Sequence, residues 1–213
     1  MFERMLPEGF IVECGDPRCA QVTLLDTERS LIEGSIEKRR REFSMGRHCA
    51  RLALARLGVA EIAILAGTKR EPVWPSGIVG SITHTDGFCA AAVGPASRFL
   101  GVGIDVELAE PLDRQTAIAV ASDSEANRLS ALDPGLAARL VFSAKESFYK
   151  CQFYHTRHWL DFFDVVIELE EQGEFSASLL VDALPLCRGL SIRGRWAVRE
   201  GLLFTAIWLP WAA

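Results

Sequence analysis

The sequence predicts an α+β fold built from two similar-sized subdomains, each with packed helices and antiparallel strands. Each half of the 213-residue chain contains a long segment whose apolar residues recur at roughly helical spacing. Each half also contains short apolar or alternating segments, some of them joined by polar turns, as in antiparallel hairpins. We therefore expect a division near residue 100, giving subdomains of residues 1–100 and 101–213.

The first half predicts a strand, a long helix and a hairpin. The stretch "GFIVEC" is typical of a strand. The helix is predicted over "SIEKRRREFSMGRHCARLALARLG", and Gly58 at its end suits a C-terminal cap. Further on, "IVGSITHTDGFCAAAVG" predicts two strands joined by a polar turn at Thr83 to Gly87.

The second half predicts a strand, a broken helical region and a run of further strands. "RFLGVGIDVE" is typical of a strand, and helical patterning follows from about Arg114 to Tyr154, broken near "LDPG". Four strands are predicted after it: "FFDVVIELE", "EFSASLL", "LSIRGRWAVRE" and "GLLFTAIWLP". The pair Glu200-Gly201 favours a tight hairpin between the last two.

Composition predicts a cytoplasmic protein that binds neither nucleic acid nor membranes. Hydrophobic residues make up 49% and charged residues 24%, and the net charge of −5 argues against general nucleic-acid binding. The N-terminal "MFERMLPEGF" lacks the apolar run of a signal peptide, and no apolar stretch approaches a membrane span. No C-x-x-C pair occurs, so we expect reduced thiols at Cys14, Cys19, Cys49, Cys89, Cys151 and Cys187.

Two acidic residues interrupt the apolar strand that contains "GVGIDVELAE". Side chains alternate along a strand, so Asp105 and Glu107 share one face while Ile104 and Val106 share the other. Two carboxylates this close repel unless a cation lies between them, and Mg²⁺ prefers such oxygen ligands. The alternative from the pair alone, a solvated edge-strand face, stays open and is the simpler interpretation.

The stretch "FSAKESFYK" offers a third carboxylate and a lysine. On a helix, Glu146 and Lys150 lie four residues apart and share a face. One alternative is a capping box formed by Ser143 and Glu146, with a surface ion pair from Glu146 to Lys150. The pattern "LAARLVFSAKESF" is helical through Ser143, which argues against a cap.

Basic residues and one histidine offer partners for an anion. His84 lies at a strand end beside Thr83, where it could donate to a phosphate. Arg39 and Arg47 lie on the long helix of the first half, and Lys69 and Arg70 lie in the loop after it. Each of these residues alone is best explained as solvated or structural, but together with three carboxylates they indicate a polyphosphate ligand.

These motifs, taken in order, resemble the 4′-phosphopantetheinyl transferases. "GIDVE" and "FSAKESFYK" match the family's signature, and "RREFSMGRHCARLAL", "REPVWPSGIVGSITH" and "LFTAIWLP" are similar to its enterobactin-synthase-component-D subgroup. The resemblance covers the chain from about residue 35. It implies two pseudo-twofold-related α+β subdomains with the active site in the cleft between them. It also implies Mg²⁺-dependent transfer of the phosphopantetheine arm of coenzyme A to a serine of an apo carrier protein, releasing adenosine 3′,5′-bisphosphate.

The resemblance also implies roles for individual residues. Asp105, Glu107 and Glu146 would bind Mg²⁺, with Mn²⁺ as an alternative, and Glu146 or a metal-bound water would act as the base. The coenzyme A contacts would come from Arg39, Arg47, Lys69, Arg70, Thr83, His84, Asp105 and Lys150, and the catalytic set would be Asp105, Glu146 and Lys150.

Further expectations concern the assembly and the rival functions. We expect a monomer that docks its carrier protein through the region from Arg114 to Leu132, or through Arg157 and His158. Three alternatives stay open: a Mg²⁺-dependent phosphohydrolase acting on nucleotides, a nucleotide-binding module without turnover, and a zinc site of Cys151, His155 and His158. The zinc site requires all three residues to lie on one helix, and no fourth ligand is evident.

Overall fold

A computed structural model describes residues 1–18, 22–129 and 132–211, which form two antiparallel sheets with helices packed against them. The predicted α+β class is confirmed, and so are the predicted strands, the long helix of the first half and both tight turns. Cys19 lies outside the described residues, and the other five cysteines are free thiols. Within the described ranges, no helix combines the length and apolar character needed to cross a bilayer.

The first sheet has three strands in the order β1-β3-β2, and one long helix covers it. The bounds are β1 Ile11–Gly15, β2 Ile78–Thr85 and β3 Phe88–Pro95, preceded by α1 Asp26–Arg29 and α2 Glu37–Arg56. Small residues on α2 and β3 let the helix lie close to the sheet. A Cβ at Gly46 of α2 would lie only 2.9 Å from Ile82 Cγ2, so a larger residue would push the helix away. This packing places the N-terminal half of α2 beside the end of β2.

The second sheet has five strands in the order β4-β8-β7-β6-β5. The bounds are β4 Phe99–Leu108, β5 Val165–Leu169, β6 Glu174–Leu179, β7 Ser191–Arg199 and β8 Leu202–Pro210. The predicted hairpin at Glu200 and Gly201 joins β7 to β8, and both residues have positive φ, as a two-residue turn requires.

The broken helical region of the second half forms three helices, namely α3 Arg114–Val120, α4 Asp123–Ala126 and α5 Pro134–Thr156. Asp133 caps α5 by accepting hydrogen bonds from the backbone of Gly135 and Leu136. Ser143 therefore lies inside α5, and the alternative that it caps a helix is wrong. The zinc alternative is also wrong, because α5 ends at Thr156 and His158 lies beyond it.

Glycines on β4 bring α5 unusually close to that strand. A Cβ at Gly103 would lie 1.8 Å from the carbonyl oxygen of Ser147, and a Cβ at Gly101 would lie 2.2 Å from that of Cys151. Only glycine fits at these positions, because the helix backbone occupies the space of a side chain. The close approach presses α5 side chains directly against Asp105.

The two sheets meet where β2 runs beside β4. The backbone N–H of Ile104 donates to Ser81 Oγ at 3.1 Å, and that of Val106 donates to Thr83 Oγ1 at 3.1 Å. Hydroxyl side chains of one sheet thus satisfy backbone groups of the other, and Ile104 and Val106 themselves lie in a core that both sheets share. The division into subdomains near residue 100 stays a prediction.

Candidate active site

Asp105 lies at the junction of the sheets and accepts hydrogen bonds from three side chains. Lys150 Nζ lies 2.6 Å from Oδ1, and Thr83 Oγ1 donates to the same oxygen at 3.2 Å. Ser143 Oγ donates to Oδ2 at 2.8 Å. Asp105 is 5% exposed, so these donors replace the water that a buried carboxylate loses.

Glu107 lies two residues further along β4, and it faces α5 as Asp105 does. Arg139 on α5 donates to Glu107 Oε2 at 2.9 Å and also to the backbone oxygen of Glu110. Burial raises the pKa of Glu107, and the charge of Asp105 raises it further, while Arg139 lowers it. The prediction that both carboxylates occupy one face is confirmed by these contacts with α5.

Glu146 is the third carboxylate, and it differs from the other two in having no partner. It makes no hydrogen bond or ion pair with any residue of the described ranges. Burial raises its pKa, the neighbouring charge of Lys150 lowers it, and that of Asp105 raises it. A partly buried carboxylate without a partner is suited to accept a proton or to bind a cation.

The chemistry of these three carboxylates fits the Mg²⁺ that the resemblance implies. Asp105 and Glu107 form ion pairs with Lys150 and Arg139, while Glu146 forms none with a described residue and only feels the charge of Lys150 nearby. Within residues 1–18, 22–129 and 132–211, no three Asp, Glu, His or Cys side chains converge closely enough to enclose a metal ion by themselves. Mg²⁺ suits such a site, because it usually takes its remaining ligands from water and substrate phosphates.

His84 joins the first half of the chain to these carboxylates. Its Nε2 lies 3.0 Å from Arg39 Nη1, and its Nδ1 lies 3.7 Å from Glu42 Oε2. Burial lowers the pKa of His84, with smaller opposing contributions from Glu42 and Asp105, while the charges of Arg39 and Lys150 lower it further. A guanidinium only donates, so His84 Nε2 accepts from Arg39. Arg39 and Lys150 therefore bring donors from both halves to one place, with His84 between them.

The structure places the other predicted coenzyme A residues differently. Arg47 is buried, donates to the backbone oxygen of Ile64 at 2.7 Å and stacks on Phe43; burial lowers its pKa to about 10. Thr83 is also buried, and its hydroxyl is engaged by Asp105 and by the backbone of Val106. Arg47 and Thr83 thus contact protein groups, whereas the sequence predicts that they contact coenzyme A.

Two cavities open on either side of Tyr149. One, of about 220 Å³, is lined by Lys69, Arg70, Lys150 and by apolar and aromatic residues of both halves. The other, of about 160 Å³, is lined by Glu146, Trp159, Lys145, Asp161 and neighbouring apolar residues of the second half. Lys150 therefore faces the first cavity and Glu146 the second, and Tyr149 lines both.

Sequence reasoning missed several residues of this site. Arg139 and Tyr149 contact the carboxylates or line the cavities, and a polar residue on the predicted inner face of α5 would have pointed to Arg139. Thr205 was missed as well, although it is a lone polar residue in the apolar strand "LLFTAIWLP". A polar residue inside an apolar strand is also the feature that singled out Asp105 on β4.

Comparison with known proteins shows the family of this chain. The profile of the 4′-phosphopantetheinyl transferase N-terminal domain matches residues 27–94, and that of the 4′-phosphopantetheinyl transferase superfamily matches residues 101–200. The chain is similar to 4′-phosphopantetheinyl transferase Npt of Nocardia iowensis, at 42% identity over 84% of this chain and 86% of that protein. It is also similar to 4′-phosphopantetheinyl transferase PptT of Mycobacterium tuberculosis, at 40% identity over 87% of this chain and 86% of that protein. Enterobactin synthase component D of Salmonella typhi is 32% identical over 80% of this chain and 72% of that protein.

Proposed function

This chain belongs to the 4′-phosphopantetheinyl transferase family and is an enzyme of that activity, which modifies carrier proteins with coenzyme A as co-substrate. From that premise we propose that Asp105, Glu107 and Glu146 hold Mg²⁺ and that Glu146 and Lys150 act on the reacting groups. The observation that carries the proposal is the buried Asp105–Lys150 pair, with Glu107 on the same strand face and with Glu146 nearby on α5, where it has no hydrogen-bond partner among the described residues.

Coenzyme A would span the two cavities. Its phosphates suit the cavity with Lys69, Arg70 and Lys150, and Arg39, held by His84, supplies further donors beside it. Its pantetheine arm, which carries amides but no charge, suits the mainly apolar cavity beside Glu146 and Trp159. The pyrophosphate linkage then lies at the carboxylates. Arg47 and Thr83 act in this account through the residues they hold rather than by touching the ligand.

The chain's own residues would position and activate the attacking serine. The oxygen of the carrier serine forms a bond to the β-phosphorus, and the bond from that phosphorus to the adenosine 3′,5′-bisphosphate oxygen breaks. Glu146 accepts the serine proton, since its carboxylate has no hydrogen-bond partner to release among the described residues and its raised pKa makes it a better base. Lys150, which is paired with Asp105 and lines the cavity with Lys69 and Arg70, offsets negative charge on the phosphates. Mg²⁺, when bound, supplies positive charge that stabilises the phosphate oxygens.

The carrier and the setting are finer proposals. The likeness to enterobactin synthase component D supports carriers of siderophore assembly, and those of other peptide or polyketide synthases are alternatives. Exposed Ile118 on α3, or Arg157 and His158 after α5, would dock the carrier. We also propose a cytoplasmic monomer, because coenzyme A is an intracellular metabolite and the five described cysteines are free thiols.

Intact-mass spectrometry of carrier proteins tests the proposal. The protein would be incubated with coenzyme A, Mg²⁺ and a panel of apo carriers, with and without EDTA. The expected result is a mass gain of one phosphopantetheine on at least one carrier, lost with EDTA. Transfer that persists in EDTA contradicts the metal site, and hydrolysis of coenzyme A without transfer favours the phosphohydrolase.

A further inference from the structure

A chain of buried hydroxyl groups contacts the Asp105 carboxylate at Oδ2, the oxygen that Lys150 does not contact. Ser143 and Ser147 are one turn apart on α5, and Thr205 lies on β8 directly opposite Asp105 in the strand register. All three residues are 0% exposed. Thr205 Oγ1 lies 2.9 Å from Ser143 Oγ and 2.6 Å from Ser147 Oγ.

The direction of the hydrogen bond onto the carboxylate follows from its charge. An ionised carboxylate only accepts, so Ser143 must donate its single hydroxyl proton to Asp105 Oδ2, 2.8 Å away. Thr205 Oγ1 lies 2.9 Å from both the hydroxyl and the carbonyl oxygen of Ser143. Ser147 Oγ in turn contacts Thr205 Oγ1 at 2.6 Å and donates to its carbonyl oxygen at 3.2 Å. The chain therefore ends in a hydroxyl that donates to Asp105 and is held from behind.

The stability of the fold alone does not call for these hydroxyls. Serine inside a helix forms helix less readily than alanine, and a buried hydroxyl costs free energy unless it is hydrogen-bonded. The neighbouring residues on both elements are apolar: Ala144 and Phe148 on α5, and Leu203 and Ile207 on β8. A fully apolar contact would pack α5 against β8 as well, so we look for the role of the hydroxyls in their contact with the Asp105 carboxylate.

We propose that the Ser147–Thr205–Ser143 chain is a positioning device that fixes the rotation of the Asp105 carboxylate. It binds Oδ2 from the core side, which leaves Oδ1 facing Lys150 and Thr83 at the site. Thr205 holds Ser143 and is itself held by Ser147, so the hydroxyl that donates to the carboxylate is fixed in place. The inference rests on the proposed function, in which Asp105 is a metal ligand, and it assigns positioning roles to three residues that touch neither substrate nor metal.

The test removes one hydroxyl without changing the volume of the core. Thr205→Val is isosteric, Thr205→Ser restores the hydroxyl, and Ile207→Val is the matched control, since it deletes a buried methyl group on the same face of β8. Mn²⁺ binding is measured by electron paramagnetic resonance with coenzyme A and no carrier, and transfer is followed against Mg²⁺ concentration. We expect Thr205→Val to weaken Mn²⁺ binding about tenfold and to raise the half-saturating Mg²⁺ concentration in step, because partners behind a metal ligand usually have effects of 10- to 100-fold. Thr205→Ser and Ile207→Val should stay within about twofold of wild type.

The outcomes separate the two proposals. Wild-type protein that transfers the arm, with Thr205→Val showing unchanged Mn²⁺ affinity and Mg²⁺ dependence, overturns the positioning role alone. Equal losses in Thr205→Val and Ile207→Val also overturn it, because they indicate general destabilisation. Wild-type protein that neither transfers nor binds Mn²⁺ overturns both proposals. If Thr205→Val does not fold, Ser143→Ala decides by the same measurements.

Discussion

The two halves of the chain share one structural device but differ in the charges they present. In the first half, buried Glu28 accepts hydrogen bonds from the backbone of Leu25 and Ile64, at 3.1 and 3.0 Å, and pairs with Arg51 of α2 at 2.5 Å. Its role is to tie a short helix, a long helix and an extended segment together.

Glu125 does the same in the second half. It accepts from the backbone of Ser122 and Ile167, each at 2.9 Å, and pairs with Lys145 of α5 at 2.9 Å. The long helices then diverge in function, because α2 presents Arg39 beside His84 while α5 presents Glu146 and Lys150 to β4. The comparison teaches that the framework is repeated while the side chains at the site differ, with the proposed phosphate-binding Arg39 on one helix and the proposed metal-binding Glu146 on the other.

The largest expected effect is on the chemistry of the second half. Asp105→Asn keeps the side chain's size but removes the charge shared by Lys150, Ser143 and the proposed metal. We expect transfer to fall by about 100-fold or more, since even partners behind a metal ligand reach that magnitude. The measurement is the rate of carrier modification, with circular dichroism to confirm folding. A folded variant of wild-type rate would remove Asp105 from the mechanism.

Replacing either buried glutamate tests whether Glu28 and Glu125 contribute equally to the free energy of unfolding. Glu28→Gln and Glu125→Gln each leave a buried cation without its partner, so each should lower the free energy of unfolding by about 3 kcal/mol. Urea unfolding of both variants checks this. If only one variant loses stability, the two glutamates share their contacts but not their contribution to the free energy of unfolding.

Acid stability sharpens the comparison for Glu125. Burial alone would raise its pKa, but hydrogen bonds from Ile167, Ser122 and Lys145 outweigh burial and lower it. Its contribution to stability is therefore present above the ordinary carboxyl pKa and is lost as the pH falls through the lowered value. The difference in unfolding free energy between wild type and Glu125→Gln should be full at neutral pH and shrink below about pH 4. Glu168→Gln, on the exposed side of β5, is the control and should show little difference at any pH.

The first half should affect binding more than turnover. His84→Ala removes the acceptor that holds Arg39 in place, so we expect KM for coenzyme A to rise about tenfold with kcat changed less than about threefold. Steady-state kinetics on one carrier separate the two constants. His48→Ala on α2 is the matched control, because His48 makes no hydrogen bond with a residue of the described ranges. A fall in kcat at constant KM would place His84 in the chemical step.

Sequence patterns predicted the elements well because each depends on local spacing. The hairpins, α2 and the shared face of Asp105 and Glu107 all follow from side-chain periodicity. The roles of Arg47 and Thr83 depend instead on what covers them, which only the packed structure shows. Arg39 and Arg47 share a face of α2 by spacing, yet the segment containing Ile64 covers Arg47 and leaves Arg39 at the site.

The smallest expected effect concerns the link between the halves. Glu71 lines the cavity that contains Lys69 and Arg70, and its Oε1 pairs with Arg157 Nη1 at 2.7 Å. Its other oxygen accepts from the backbone of Lys69 at 3.0 Å. Arg157 is about half exposed, so Arg157→Leu should cost only about 0.5 kcal/mol of stability. KM for coenzyme A should nevertheless rise about twofold to threefold, because the pair holds the basic loop against α5.

The matched control for that pair lies within one half. Arg56 pairs with Glu13 at 2.6 Å with similar exposure, but it joins α2 to β1 away from both cavities. Arg56→Leu should therefore cost about the same stability, about 0.5 kcal/mol, and leave KM unchanged. Equal changes of KM in the two variants would mean that the loop needs no tether to the second half. A change in Arg157→Leu alone would show that coenzyme A is held by the contact between the halves as well as by the residues that line the cavity.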